Sequence, residues 1–231
     1  MGTAPKTPSN RIADALRTSI VKGQLAPGEE FPSQRVLADR FQVTRSSVRE
    51  AMRQLAAWGL VKVRPGGATK VANFVVEAGL ELVPVLLDAG GEVTGTIMRD
   101  VHEIRGLLLG WAAERAAATA DAASIARLNE LAQQMSAPKV KPAQLQVLDY
   151  DFFEQLLLIT GNQLLVLLGN VVRDVYFRDA SRFLALYQPD IFEPKYHRKA
   201  VAAIRARDVD GAGAAMRAHA ATGLRLLKGE A

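Results

Sequence analysis

Residues 32–71 read PSQRVLADRFQVTRSSVREAMRQLAAWGLVKVRPGGATKV, and this stretch decides the fold of the first third of the chain. Ser33 and Thr44 each precede apolar residues at helical spacing, which is typical of helix N-caps. After Gly59, apolar and basic residues alternate as in a β-strand, and a Pro-Gly-Gly turn leads into a second short strand. The stretch therefore predicts two helices joined by a tight turn and followed by a small β-hairpin.

A further helix is predicted before this stretch, and only helices are predicted after it. Apolar residues recur at helical spacing from Arg11 to Lys22, and Gly23 ends that pattern. Three helices and a hairpin predict a winged helix-turn-helix over residues 1–74. Residues 79–231 show helical periodicity throughout, so we expect an all-α antiparallel helical bundle there. The predicted fold class is therefore mainly α.

The composition excludes several classes of site. The 231 residues contain no cysteine, which rules out disulfides, thiolate metal sites and a cysteine nucleophile. No stretch approaches the roughly 18 to 20 apolar residues that a membrane-spanning helix needs. The N-terminus also lacks the apolar segment of a signal peptide. We therefore expect a cytoplasmic protein with no membrane partner.

The positive charge of the chain is concentrated near its N-terminus. The net charge is only +5, but residues 1–73 hold twelve Lys and Arg against five Asp and Glu. The remaining residues hold seventeen basic against nineteen acidic side chains. A basic N-terminal third favours a polyanionic partner such as a nucleic acid, and a solvated basic surface is the alternative interpretation.

The helix that starts after Thr44 is the one expected to enter the major groove of DNA, with its first turn meeting base edges. Arg45 and Arg49 lie four residues apart on one face of that helix, and the arginine fork matches the O6 and N7 acceptors of guanine. The alternative is that these arginines are solvent-facing charges. The predicted DNA-contacting residues are Arg35, Thr44, Arg45, Ser46, Ser47, Arg49 and Gly66.

At these residues the sequence resembles a known family. The stretch LAPGEEFPSQRVLADRFQVTRSSVREAMRQLAAWGLVKVRPGGATKV is similar to the DNA-binding domain of the GntR family, and the resemblance covers roughly residues 9–74. It implies that the protein binds a palindromic operator in double-stranded DNA as a homodimer. The segments EIRGLLLGWAAERAA, LDYDFFEQLLLITGN and YHRKAVAAIRARDVDGAGAAMRAH resemble the FCD-type effector domain of the FadR subfamily. The implied function is a ligand-responsive transcription regulator, usually a repressor, and not an enzyme.

The resemblance also implies a metal site at the centre of the bundle. Members of this type usually hold a divalent metal such as zinc, nickel or manganese. Asp149, His197 and His219 match three of the usual ligands, whereas Phe153 stands where the family usually has a histidine. Two alternatives stay open: a water or an effector carboxylate completes a three-ligand shell, or the metal is lost and the same groups line a metal-free pocket.

Arg105 matches the arginine of the family's EIR motif, which typically faces the cavity. A buried arginine needs a counter-charge, and a small organic acid can supply one through two parallel hydrogen bonds. An internal ion pair with Asp149 is the alternative. The predicted effector-binding residues are Arg105, Asp149, His197 and His219. Phe153 makes the expected pocket more apolar, which favours an acid with an apolar portion.

Two competing functions remain at this point. In the first, the helical domain only dimerises and binds no effector. In the second, Asp149, His197 and His219 hold the metal of an enzyme, but the sequence offers no nucleophile or general base to act beside it.

Overall fold

The computed structural model describes residues 7–63, 68–178 and 180–229. The chain forms two compact units that divide between Thr94 and Gly95. The predicted domain bounds, 1–74 and 79–231, differ from this division in residues 79–94. Leu82, Val85 and Ala89 are buried against the core of the first unit. Short apolar segments of this kind fit either neighbouring core, so the sequence pattern alone does not assign them.

The first unit is a three-helix domain with a small sheet and three short helical segments after it. Its elements are α1 (Pro8–Val21), α2 (Gln34–Phe41), α3 (Arg45–Ala57), β1 (Val61–Lys62), β2 (Lys70–Val71), α4 (Phe74–Glu77), a 3₁₀ turn (Leu80–Leu82) and α5 (Val83–Leu87). This order confirms the predicted winged helix-turn-helix.

The caps predicted from the sequence set the starts of α2 and α3. The hydroxyl of Ser33 accepts a hydrogen bond from the backbone N–H of Val36 at 3.3 Å, and the hydroxyl of Thr44 accepts one from Ser47 at 3.2 Å. Gln42 ends α2 in the left-handed conformation, with φ of 54°. This tight turn lets α3 leave α2 at an angle, with its apolar face on the core and its first turn in solvent.

The sheet of the first unit has an edge that the sequence did not predict. β1 and β2 pair antiparallel, with Val61 opposite Val71. The loop that precedes α2 runs along β2, where the backbone N–H of Gly28 donates to the carbonyl of Val71 and that of Phe31 donates to the carbonyl of Thr69, both at 2.8 Å. The tip of the hairpin, including Gly66, lies outside the described residues.

All regular secondary structure among the described residues of the second unit is helical, as predicted. Its helices are α6 (Gly91–Thr119, which begins just before the division), α7 (Ala122–Met135), α8 (Pro142–Ile159), α9 (Gln163–Arg178), a 3₁₀ segment (Ala180–Tyr187), α10 (Lys195–Ala206) and α11 (Val209–Lys228). Within the described ranges, no helix is both long enough and apolar enough to span a bilayer.

Two glycines bring α6 and α11 unusually close together. A Cβ added at Gly106 would lie 2.8 Å from the Cβ of Ala220, and one added at Gly223 would lie 2.6 Å from Nε2 of His102. Such distances are well inside van der Waals contact, so only glycine permits this approach. The close contact fixes one face of α6 against α11 and so positions the polar side chains of α6 at the bundle centre.

Candidate DNA interface and buried polar cluster

The first turn of α3 presents cationic side chains to solvent. Arg45, Ser46 and Arg49 are exposed, as is Arg35 on α2. Within the described ranges, neither Arg45 nor Arg49 takes part in an ion pair, whereas Arg53 lies 3.4 Å from Glu50. The guanidinium groups of the first turn are therefore available to an external anion.

The hydroxyls of Thr44 and Ser47, unlike the side chains of Arg45 and Arg49, form hydrogen bonds within the start of the helix. The two oxygens lie 3.0 Å apart, and the Thr44 hydroxyl also caps the backbone N–H of Ser47. A helix N-terminus attracts anions through its unpaired N–H groups and its dipole. The cap fixes the backbone that carries Arg45 and Ser46, so Thr44 acts on this surface mainly by holding its shape.

The second unit buries a polar cluster whose charged residues and histidines lie on α6, α8, α10 and α11. The carboxylate of Asp149 on α8 lies at its centre, 1 % exposed. Oδ1 of Asp149 lies 2.9 Å from Nε2 of His197 on α10 and 3.0 Å from Nε2 of His219 on α11. The structure therefore brings together three residues that lie far apart along the chain, as the sequence predicted.

Arg105 on α6 forms an internal ion pair with the second oxygen of the same carboxylate. Its Nη2 donates to Oδ2 of Asp149 at 2.6 Å, and the hydroxyl of Tyr187 donates to that oxygen at 2.9 Å. Asp149 is thus the internal counter-charge of Arg105. Both oxygens of Asp149 thus have partners from other helices, which satisfies a charge that burial would otherwise strongly disfavour.

Two aromatic rings hold the guanidinium of Arg105. Its Cζ lies 5.2 Å from the ring centroid of Phe153 and 5.4 Å from that of Tyr176. Both distances fall within the range of cation–π attraction. Phe153 is fully buried. It therefore contributes to the cluster as a support for Arg105.

Burial and charge shift the pKa values of the cluster in opposite directions. Burial alone raises the pKa of Asp149, but the charges of Arg105 and His219 and the hydrogen bonds from both histidines leave it well below its usual range. Burial, assisted by the charge of His219, lowers the pKa of His197 to about 4. Burial raises the pKa of Tyr187 well above its usual range. At neutral pH, Asp149 is therefore charged, and both His197 and Tyr187 are neutral.

His102 lies beside the cluster but both of its ring nitrogens are already bonded. Nε2 lies 3.2 Å from the carbonyl oxygen of Ala220 and must donate to it, so Nδ1 accepts from the hydroxyl of Tyr176 at 2.6 Å. Burial lowers the pKa of His102 to about 3, with a smaller contribution from the charge of Arg105. The ring is thus neutral and held in one tautomer, which leaves it no nitrogen for a metal.

A small cavity adjoins the cluster. Its volume is about 20 Å³, and Asp149, Arg105, His219, Glu193 and Thr222 are among its polar lining residues. Leu186, Ile191, Phe192 and Tyr196 are among the other residues that line it. A cavity needs roughly 10–15 Å³ to hold one water molecule. The space therefore fits one water and is far below the roughly 300–1,000 Å³ of most small-molecule sites.

The donor atoms of the cluster are compatible with a divalent metal. Asp149, His197 and His219 each offer one ligand atom, and these atoms lie within 4.8 Å of one another. Ligand atoms bound at about 2.1 Å to one metal lie about 3.0 Å apart in octahedral geometry and about 3.4 Å apart in tetrahedral geometry. The two oxygen–nitrogen distances, 2.9 and 3.0 Å, are nearer the octahedral value. The adjoining cavity leaves room for a water as a further ligand. One feature disagrees: Nδ1 of His197 is buried without a hydrogen-bond partner, whereas ligating histidines usually have one there.

Tyr187 and Tyr176 belong to the cluster, although sequence analysis singled out neither. Tyr187 is the last residue of the short 3₁₀ segment, whose buried residues are Phe183, Leu186 and Tyr187. The one usable signal was the residue type, because a buried tyrosine hydroxyl normally requires a hydrogen-bond partner.

The fold and these two sites define a two-domain transcription regulator, with a helix-turn-helix unit followed by a helical unit. The chain matches the family described as "Bacterial regulatory proteins, gntR family" over residues 8–71 and the family "FCD domain" over residues 100–222. The second match alone spans more than half of the chain. The protein therefore belongs to the gntR family of bacterial regulatory proteins and carries an FCD domain. This family consists of DNA-binding transcriptional regulators and not of enzymes.

Individual relatives agree with this assignment. Mce2R, an HTH-type transcriptional regulator of Mycobacterium tuberculosis, is 42 % identical over 94 residues, which cover 41 % of this chain and 39 % of its own. The chain thus spans about two fifths of the length of this relative. LutR, an HTH-type transcriptional regulator of Bacillus subtilis, is 28 % identical over 205 residues, which cover 87 % and 92 % of the two chains.

A solved structure shares the fold. It is that of Lar, which controls the expression of the Listeria monocytogenes agr system, and it is 17 % identical with a TM-score of 0.57. The match covers 98 % of this chain and 99 % of that one.

Proposed function

We propose that this chain is a transcriptional repressor that binds a palindromic operator as a homodimer and releases it when a small organic acid binds the second unit. The observation that carries the proposal is the exposed first turn of α3, where Arg45 and Arg49 lack ion-pair partners among the described residues. Unpaired arginines one helical turn apart suit two neighbouring guanines or a guanine and a phosphate. The sign of regulation rests on the family resemblance.

Each predicted DNA contact has a distinct role in this proposal. Arg45 and Arg49 read base edges in the major groove, and Ser46 bonds a base edge or a phosphate. Arg35 on α2 meets a phosphate, which fixes the position of the domain without reading sequence. Thr44 and Ser47 hold the start of α3, and Gly66 lets the hairpin tip approach the minor groove.

We further propose that Asp149, His197 and His219 hold a divalent metal, with zinc, nickel and manganese as the candidates. When bound, the metal supplies a positive charge to which the carboxylate of an effector can bind. Arg105 and Tyr187 hold the Asp149 carboxylate in place. The apolar wall at Leu186, Ile191 and Phe192 then favours an acid with an apolar portion.

The size of the cavity supports a mechanism for release. An organic acid larger than about one water cannot enter the arrangement described above, so it binds an expanded one. A ligand shifts an equilibrium only by its differential affinity for the two arrangements. The residues that line the cavity lie on α6, α8, the 3₁₀ segment, the loop before α10, α10 and α11. Expansion would displace these elements and change the spacing of the two DNA-binding units.

The same small cavity favours a second candidate function. Both oxygens of Asp149 are hydrogen-bonded, so the cluster is nearly complete without a ligand. In this alternative, the second unit only dimerises and the repressor responds to no effector.

One experiment distinguishes these functions. The full chain selects its operator from a random library of double-stranded DNA, and its affinity for that operator is measured with added zinc, with a chelator, and with acetate, lactate, benzoate and octanoate as probes. We expect about one metal per chain and at least tenfold weaker operator binding with one of the acids. Selection of no palindrome would refute the repressor, and metal-independent binding unaffected by any acid would favour the second candidate.

Matched variants assign the metal. His219→Gln is expected to lose the metal, because it removes a ligand at the edge of the cluster. His102→Gln is the control, since it changes the one other histidine near the cavity and leaves all three ligands. Equal metal content in both variants would mean that the cluster does not hold the metal.

A further inference from the structure

The outer face of α6 carries an apolar stripe with opposite charges at its two ends. Ile104, Leu107 and Trp111 are 52 %, 63 % and 42 % exposed, and their spacing of three and four residues places them on one face of the helix. Asp100 extends this face by one turn towards the N-terminus, and Arg115 extends it by one turn towards the C-terminus. Both charged side chains are exposed.

The stripe is fixed in its outward position. Gly106 lies on the opposite face of α6, where its close approach to Ala220 holds the helix against α11. In the part of the chain that the structure describes, neither Asp100 nor Arg115 forms an ion pair. Three large apolar side chains and two unpaired charges therefore share one rigid surface, which is typical of an interface rather than of scattered surface residues.

We propose that this stripe is the homodimer surface of the second unit, with α6 of two copies packed antiparallel about a two-fold axis near Leu107 and Leu108. This rests on the homodimer of the proposed function and assigns its surface. In a two-fold interface, each contact between residues i and j occurs twice. With the axis there, Ile104 of one copy faces Trp111 of the other, and Asp100 of one copy faces Arg115 of the other.

Charge complementarity is the reason to choose a second copy of the chain as the occupant. Residues 100 and 115 are equally distant from the axis, so antiparallel pairing places opposite charges together at both ends. Parallel pairing would instead place like charges together. The exposed leucines of α9, Leu164 and Leu167, lack this pattern, since no charged residue lies one turn beyond either of them.

The first test compares two leucines of similar exposure in the full chain. Leu107→Arg places a positive charge beside the axis and is expected to weaken dimerisation at least tenfold, measured by sedimentation equilibrium. Leu167→Arg makes the same change on α9 and is expected to leave the dimer intact. Circular dichroism checks that both variants are folded. A dimer that survives Leu107→Arg, or dissociates equally with Leu167→Arg, would overturn the proposal.

The second test uses the absence of native cysteine. Leu107→Cys creates one thiol per chain next to the axis, where two copies lie within reach of a disulfide under mild oxidation. Leu167→Cys is the control. We expect a covalent dimer on a non-reducing gel for the first variant alone, and its absence would count against an axis at this position.

The third test exchanges the charges. Asp100→Arg and Arg115→Asp each place like charges together and are expected to weaken the dimer, whereas the double variant restores opposite pairs and recovers most of the affinity. If the double variant loses as much dimer affinity as the two single variants together, the antiparallel register is wrong. These outcomes are separate from those of the proposed function: a dimer indifferent to all three tests leaves the repressor standing, and a wild-type monomer that selects no palindrome removes both.

Discussion

The arginines of α3 and the arginine of α6 have opposite environments. Arg45 and Arg49 are exposed and lack ion-pair partners among the described residues, whereas Arg105 is 1 % exposed and contacts a carboxylate and two aromatic rings. An exposed guanidinium keeps its hydration until an external anion displaces it. A buried guanidinium must have its counter-charge within the fold. Arginine is therefore available to bind an external anion in the first unit, whereas in the second unit it stabilises the fold.

This difference changes what Arg105 can do for an effector. Burial alone lowers the pKa of Arg105, but the adjacent Asp149 more than offsets this and raises it above its usual range. The guanidinium is thus permanently charged and already paired. An effector carboxylate must compete with Asp149 for it, while an operator phosphate has no such competitor at Arg45 or Arg49.

The largest expected effect comes from breaking the buried pair. Arg105→Leu leaves the Asp149 charge buried beside a hydrocarbon side chain, which is expected to lower the free energy of unfolding by about 3–5 kcal/mol. Urea denaturation measures this change. Arg49→Leu is the control and should change stability by less than about 0.5 kcal/mol. Equal effects of the two variants would show that burial does not separate the two arginines.

Substitution of an exposed arginine should weaken DNA binding and leave stability unchanged. Arg49→Ala is expected to weaken binding to the selected operator by about 1–3 kcal/mol, roughly 5- to 150-fold, because one base contact is lost. The melting temperature should stay unchanged. Arg53→Ala serves as a control on the same helix, since Arg53 is already paired with Glu50. If both variants weaken binding equally, the first turn of α3 has no special role.

The buried histidine predicts a pH dependence. His102 has a pKa of about 3 in the folded chain and an ordinary value of 6.5, so the unfolded chain takes up a proton between these values. The contribution of His102 to the free energy of unfolding is therefore complete well above pH 6.5 and decreases as the pH falls below that value. From pH 7 to 5.5 we expect a loss of about 1.3 kcal/mol from His102.

Comparison with His102→Gln isolates this contribution. His197 also titrates, but its contribution is the same in both proteins. It therefore cancels when the two free energies of unfolding are subtracted. The free energy of unfolding of the variant should fall by about 1.3 kcal/mol less over the same pH range. Parallel pH profiles for the two proteins would mean that His102 is not held neutral.

The smallest expected effect is at the helix cap. Thr44→Ala removes the hydroxyl that accepts from Ser47 and is expected to cost about 1 kcal/mol of stability. Thr44→Ser keeps the hydroxyl and should cost little. Operator affinity should fall less in Thr44→Ala than in Arg49→Ala, because the cap shapes the surface without contacting a base. A larger loss of affinity would indicate that Thr44 itself contacts DNA.

Local signals explain which parts of the fold could be predicted from the sequence. The starts of α2 and α3 follow from Ser33 and Thr44, whose capping bonds join residues three apart. Helical spacing alone would also bury Val36, but α2 buries Leu37 and Ala38 instead, and Val36 is 48 % exposed. The pairing of residues 28–31 with β2 joins segments about 40 residues apart and leaves no pattern in either.

The contacts within the polar cluster also join residues distant in sequence, and the sequence alone predicts them only in part. Resemblance identified Asp149, His197, His219 and Arg105, and the structure brings all four together. The partner of Arg105 was left open, since a residue 44 positions away can be chosen only by the packing of α6 on α8. Tyr187 was missed because it ends a 3₁₀ segment of only eight residues, which is too short for an extended helical or strand pattern. The domain bounds at residues 74 and 79 and the roles of the individual site residues stay predictions.

The water-sized cavity beside Asp149 also sets how sensitive a regulator of this design can be. If an acid binds only an expanded arrangement, its apparent dissociation constant equals the intrinsic one divided by the expanded fraction. An expanded fraction of about 1 % weakens binding about 100-fold without any change in ligand contacts. The concentration of acid at which transcription responds would then depend on packing at Leu186 and Ile191. Substitutions there could adapt the response to a different metabolite level while the chemistry of recognition stays the same.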